Sequence, residues 1–144
     1  MIDKSSLLAY LIRIFPLSPG LKNHLEKILK FKKLKRGDFL LRAGSVCKEV
    51  CFIVKGIVRA FYRDEEKEIS NWFMKEGDTV YSPASFLQQI PSYESIQCLE
   101  NTELFYISYD ELYAIYQDHL EFNFHRAKLT EDYYLRCYER TRCL

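Results

Sequence analysis

No sign of charge dominates this chain. Its 21 Lys and Arg stand against 20 Asp and Glu, a formal net charge of +1, which excludes the strong overall field that draws a protein to nucleic acid or to a membrane surface. It has no apolar run of membrane-spanning length. Nothing in the first fifteen residues resembles a secretory leader, because Asp3, Lys4 and Arg13 interrupt their apolar pattern. The cytoplasm is therefore the expected compartment. Cysteine is present without a pattern: Cys47, Cys51, Cys98, Cys137 and Cys143 are odd in number and irregular in spacing, which argues against a disulfide framework in a chain of this length. Cys47 and Cys51 could ligate a metal, but no second Cys or His pair lies nearby at ligand spacing. Reduced, structural thiols are the expectation. Low-complexity segments, internal repeats and Pro- or Ser-rich linkers are all missing, so one domain fits.

What the chain has is length and apolar bulk. At 144 residues, 48% hydrophobic and 15% aromatic, it can bury a core without staples. Leu7, Leu8, Leu11, Ile12 and Phe15 recur at helical spacing and predict a helix over 3–15. Pro16 to Gly20 breaks it; Ser18 then offers an N-cap with Pro19 at the first helical position, and Leu21, Leu25, Ile28 and Leu29 mark the inner face of a second helix. From Lys32 the period changes to two. Runs at 38–42, 49–54, 57–63, 67–75, 79–81, 94–99 and 103–107 are punctuated by Gly37, Gly44, Gly56, Gly77 and a polar turn at 64–67. Lys55-Gly56 reads as a tight hairpin turn that pairs the strands on either side of it. Short strands so evenly spaced predict an antiparallel jelly-roll barrel or double-sheet roll.

The helical period returns at Ser108. Ser108 and Glu111 have the form of a capping box that opens a short helix, and Asp118 with Glu121 repeats the device before a longer helix to about Arg140. The expected organisation is a helical lead-in over 1–31, a β-roll over 32–108 and C-terminal helices over 109–144: mainly β with flanking helices. The last helix is apolar on two faces. Leu120, Phe124, Ala127, Tyr134 and Tyr138, with Glu131 between them, form one stripe; Phe122, Leu129 and Tyr133 form another. One stripe can cover the roll. The other needs the same helix of a second subunit, or the helix is wedged between the roll and the N-terminal helices.

The stretch Gly77 to Ser95 is laid out like a phosphate cradle: a glycine turn, a short strand, a helix start at Pro83-Ala84, a proline turn and a Ser-containing strand. Ser82 and Ser85 flank that helix start, where free N–H groups favour an anion. Arg59, Trp72, Phe73, Tyr81 and Phe86 are candidate wall residues, and the alternative is that these aromatics simply fill the roll. Glu94 sits where an anion would want an arginine. A metal enzyme on such a roll would need histidines on strands, whereas His24, His119 and His125 all fall on predicted helices, and no Ser-His-Asp or Cys-His array can be placed. The basic run from Lys22 to Arg36 could touch DNA phosphates or an acidic partner; a solvated face is the simpler reading.

Lys35-Arg36-Gly37-Asp38, Arg42-Ala43-Gly44, the run Phe52 to Arg59, Phe73 to Asp78, Pro91-Ser92 and Leu104 to Ser108 with its capped helix occur together, in order, over about Leu21 to Arg140. In this the chain resembles the Crp/Fnr family of transcription regulators, in its cyclic-nucleotide-binding-like sensor domain. The resemblance implies a jelly-roll with a short helix inside the binding cassette, a long dimerising helix, and a DNA-binding helix-turn-helix after it. The sequence stops at Leu144 with no such pattern left to place, so DNA binding in the family's manner is not expected of this chain.

The cassette also departs from the family. In the family's cyclic-nucleotide binders a Gly-Glu pair follows the turn and an Arg-Ser pair closes the pocket; the arginine neutralises the cyclic phosphate and the glutamate holds the ribose. Tyr81-Ser82 stands for the first pair here and Glu94-Ser95 for the second, with a slightly longer segment between. Exchanging that arginine for an acid replaces attraction by repulsion, an effect of about several kcal/mol for a desolvated pair. The expectation is a homodimeric, non-enzymatic sensor and dimerisation domain with no cofactor, no tight binding of cyclic AMP, and an unidentified small effector or none. A stand-alone dimerising interaction module is the alternative; a true cyclic-nucleotide binder and a cupin-type metal enzyme stand further off.

Overall fold

The computed structural model describes residues 4–142; Asp3 and Cys143 lie outside the described residues. The chain opens with α1 (Ser5–Ile14) and α2 (Pro19–Ile28). Ser18 caps α2 as its sequence requires, its hydroxyl accepting from the Leu21 N–H at 3.3 Å. Eight strands follow: β1 (Lys30–Leu34), β2 (Phe39–Leu41), β3 (Glu49–Lys55), β4 (Val58–Asp64), β5 (Lys67–Met74), β6 (Thr79–Val80), β7 (Ser95–Cys98) and β8 (Thr102–Ser108), with α3 (Pro83–Gln88) between β6 and β7. The chain closes with α4 (Tyr109–Asp118) and α5 (Phe122–Arg142).

The strands form two antiparallel four-stranded sheets, β1-β8-β3-β6 and β2-β7-β4-β5. Their inner faces share one core, with Ile53, Val58, Ile96 and Leu104 at 2% exposure or less, while Phe105, next to Leu104 in β8, is buried on the opposite, helix-covered face. Burying side chains of that size contributes about 1.5–3 kcal/mol each. This is the double-sheet roll that the alternating pattern implies, and the described strands do not close it into a barrel.

Three local readings need correction. Lys30–Leu34, placed at the seam between helical lead-in and roll, is a strand paired along its whole length with β8. Its lysines are held: Lys30 by Glu111 at 2.8 Å, Lys32 by Glu49 at 2.9 Å, and Lys33 more loosely by Glu103 at 3.7 Å. Three of the seven basic side chains of that run are thus matched by acids within the chain. Secondly, Lys55-Gly56 is not a hairpin turn, because β3 and β4 lie in different sheets. The glycine serves a crossover: its φ is +118°, and a Cβ there would come within 2.8 Å of the Thr102 Cα. Thirdly, Asp118 ends α4 and does not cap α5; residues 119–121 turn, and α5 starts at Phe122, whose N–H donates to the His119 carbonyl. The Ser108–Glu111 capping box is real, with both reciprocal bonds at 3.1 Å.

The inner side of α5 covers the roll and α1. Phe122 and His125 are buried, Leu129 and Tyr133 half-buried. Among the described residues no helix is long and apolar enough to cross a membrane.

Gly56→Ala is expected to destabilise the fold by about 2 kcal/mol or more, since strained φ and backbone collision combine. Gly44→Ala, with φ +93° and open space around it, is expected to cost about 1 kcal/mol. Urea midpoints of the two variants check the difference.

Candidate functional site

Gly77, at φ +90°, turns the chain out of β5, and its N–H donates to the Ile53 carbonyl at 2.9 Å. The cassette then runs through β6, Ser82, α3 and a left-handed Gln89 (φ 52°) to Pro91, which bridges back to Val46. Hydrogen bonds bind this excursion to the 42–48 loop. Gly44 N–H donates to the Ser92 carbonyl at 2.7 Å, and Ser92 N–H to the Ser45 carbonyl at 2.8 Å. Gln89 Nε2 donates to the Cys47 carbonyl at 3.0 Å.

The serines are committed to the same purpose. Ser85 Oγ accepts from the Cys47 N–H at 2.8 Å, and Ser95 Oγ from the Ala43 N–H at 2.9 Å. Ser92 Oγ donates to the Glu94 carbonyl at 2.7 Å and accepts from the Glu94 N–H at 3.1 Å. Its one hydrogen is thereby used, so Ser82 donates in the 3.2 Å contact between the Ser82 and Ser92 hydroxyls.

Glu94 is 5% exposed. A buried carboxylate needs donors, and Asn71 Nδ2 supplies one at 3.1 Å to Oε2. The backbone explains why Asn71 is available. Ala60 pairs with Trp72 and Phe61 with Ser70, so Asn71 is the extra residue of a β-bulge in β5. A bulge re-aims its side chain, and Asn71 Nδ2 reaches both Glu94 and, at 3.2 Å, the Tyr93 hydroxyl.

Above the cassette lies an aromatic cluster. Tyr133 of α5 stacks on Trp72, with centroids 5.5 Å apart, and reaches Tyr81 at 6.3 Å; Tyr81 meets Phe86 edge-on at 5.7 Å. Burial pushes the Tyr81 and Tyr133 hydroxyls up. Arg136 and Arg140 lie over the Trp72 ring at 4.9 and 4.7 Å. Between these arginines and Ser70, Asn71 and Phe73 is an open cleft of about 610 Å³.

The structure thus brings together Trp72, Tyr81, Ser82, Ser85, Phe86 and Glu94. It holds Arg59 elsewhere: the guanidinium bonds to Glu68 at 3.0 Å and Gln97 at 3.2 Å, and stacks on Phe61 at 4.0 Å. Phe73 is 59% exposed. Sequence reasoning did not select Asn71, whose role depends on an unforeseen bulge. It also did not place Tyr133, Arg136 and Arg140 at the site, although their i, i+3, i+7 spacing is the signal that sets them on one helix face. The histidines are all off the strands: His24 on α2, His119 at the end of α4, His125 on α5. Among the described residues no group of three or more His, Cys, Asp or Glu side chains is disposed to hold a metal. Burial raises the Cys51 thiol to about 12, consistent with a structural, unreactive cysteine.

The family model described as the cyclic nucleotide-binding domain matches residues 31–119. No curated protein sequence matches the chain significantly. Among solved structures, a cyclic nucleotide-binding domain from Methylobacillus flagellatus superposes with a TM-score of 0.81 at 17% identity, over 94% of this chain and 80% of that one. The sensor domain of the transcriptional regulator DNR from Pseudomonas aeruginosa gives 0.74 at 19%, over 98% and 92%. The catabolite activator protein of Thermus thermophilus gives 0.73 at 16%, over 92% of this chain but only 60% of its own. At these identities the structural likenesses establish a shared fold.

Asn71→Ala is expected to cost about 1–3 kcal/mol, because it leaves the buried Glu94 carboxylate without its side-chain donor. The same change made in a Glu94→Gln background is expected to cost less. A double-mutant cycle in urea reads the coupling.

Proposed function

We propose that this chain, which belongs to the cyclic nucleotide-binding domain family, is the sensor and dimerisation part of a Crp/Fnr-like transcription regulator whose cassette does not take cyclic AMP. The observation that carries the second half is the burial of Glu94, held by Asn71, at the position where the resemblance calls for an arginine. A cyclic phosphate placed there would meet a carboxylate in a site with little water to screen it. The serine hydroxyls that might receive a phosphate are already bonded within the chain, and Tyr133 lies over Trp72 and Tyr81. DNA contact would belong to a helix-turn-helix outside this sequence. Calorimetry with cyclic AMP and cyclic GMP tests the reading: no saturable heat is expected, and a Kd below about 10 μM, roughly −7 kcal/mol, contradicts it.

The dimer reading rests on α5. With its inner side spent on the roll and α1, the helix still exposes Phe124, Tyr134, Leu135 and Tyr138, each at least 53% accessible; Ala127 and Glu131 are exposed along the same helix, whereas Leu120, placed by the sequence on the same stripe, lies exposed in the turn before it. An apolar stripe of that length is a costly thing to leave in water, and a second α5 is its simplest cover. Phe124 is the less clean probe, because it also stacks on Phe15 at 4.6 Å within the chain. Tyr134→Glu is therefore the variant of choice. Sedimentation is expected to show a dimer that this change weakens at least about tenfold, or 1.4 kcal/mol; a wild-type monomer at high micromolar concentration contradicts the assignment.

A further inference from the structure

Two of the chain's three histidines, 95 residues apart in sequence, face each other where α2 meets the turn that leads into α5. His24 Nδ1 lies 3.2 Å from His119 Nε2. The ring centroids are 5.4 Å apart, with the planes at 63°. Both rings are half-buried, the His119 side chain at 20% exposure, so the pair is open to water and to small ions.

Two N–H groups cannot face each other at that distance. At least one of the facing nitrogens is therefore a bare acceptor, whichever tautomers the rings hold. A neutral imidazole can carry its hydrogen on the other nitrogen, and then both facing nitrogens are bare. For His119 that other nitrogen is Nδ1, and it has a carboxylate beside it, Glu121 Oε1 at 3.9 Å. The Ser18 hydroxyl donates to the same oxygen at 2.6 Å, and that bond holds the Glu121 carboxyl below the usual range. A hydrogen-bonded carboxylate behind the ring is the device that orients a metal-ligating histidine and fixes its tautomer.

The spacing fits one ion. Two imidazole nitrogens about 2.0–2.1 Å from a metal stand about 3.3–3.4 Å apart in a tetrahedral shell, and about 2.9 Å apart at a right angle. The observed 3.2 Å falls between these values. Imidazole suits zinc, copper and nickel. Two nitrogens fall short of the four protein ligands of a closed site, so water fills the remaining positions.

We propose that His24 and His119 form a two-histidine site for a divalent cation of the zinc, copper and nickel class, with His24 Nδ1 and His119 Nε2 as ligands and Glu121 as the positioning residue. The site shares no residue with the Gly77–Ser95 cassette and does not depend on the dimer reading. His24 lies on α2, and His119 lies in the turn before α5 starts at Phe122. An ion held there pins the root of α5 to the helical lead-in.

The test uses the full chain and zinc ions. Calorimetry is expected to show saturable one-to-one binding with a Kd below about 100 μM, weakened at least about tenfold by His24→Ala and by His119→Ala. Imidazole 15N resonances read the site in the unaltered chain. Those of His24 Nδ1 and His119 Nε2 are expected to move together as zinc is added, and those of His125 to hold. This separates an ion between the rings from a plain hydrogen bond, and from zinc taken up by cysteine. Glu121→Gln is expected to weaken zinc about tenfold and to move the His119 Nδ1 resonance in the zinc-free chain; no change in either removes Glu121 from the proposal. Absence of saturable binding, stationary His24 and His119 resonances, or undiminished binding in either alanine variant overturns the site.

Discussion

A carboxylate at 5% exposure must be met by donors, or the fold around it loses stability. Around Glu94 that requirement organises a whole neighbourhood. The β5 bulge frees Asn71 from strand pairing and turns its amide to the acid. Ser92 clamps the Glu94 backbone from both sides, and Ser82 extends the network to the start of α3. The 42–48 loop is bonded in turn to Ser85, Gln89, Ser92 and Ser95. The cassette is thus braced from within by polar bonds, where a phosphate-binding cassette would keep its donors for the ligand.

Much of this architecture was legible from residue patterns. Alternating apolar runs separated by glycines located seven of the eight strands, since a half-buried strand must alternate. Ser18-Pro19 and Ser108-Glu111 marked helix starts through side-chain chemistry that does not depend on tertiary contacts. The failures came where long-range structure decides. Lys30–Leu34 carries mostly charged side chains, and only the folded chain shows its ladder with β8, its Phe31 against Phe105 and its lysines beside Glu49, Glu103 and Glu111. Gly56 signals a positive φ in sequence, but a hairpin and a crossover both use one; Thr102, far along the chain, makes the difference. Asn71 is the sharpest case, because nothing local announces which residue a bulge will expel.

The long helix shows how composition is divided among competing needs. Phe122, His125, Leu129 and Tyr133 spend one side of α5 on α1, the roll and the cassette aromatics, while Phe124, Tyr134 and Tyr138 remain on the other. The sequence showed both stripes. Which one turns inward followed from the ring contacts: Tyr133 finds Trp72 and Tyr81, and Phe122 finds Tyr116 and His125. A helix in that position links the cassette, the helical frame and the exposed stripe within one element.

The central claim is that the cassette keeps its family's shape while its chemistry excludes a cyclic phosphate. Amide NMR read residue by residue as cyclic AMP is added tests this most directly, because it reports the place of binding as well as its strength. The account predicts that the backbone amides of residues 82–95 and the Asn71 side-chain amide hold their positions to on the order of 1 mM nucleotide. Saturable shifts concentrated in those resonances would contradict it.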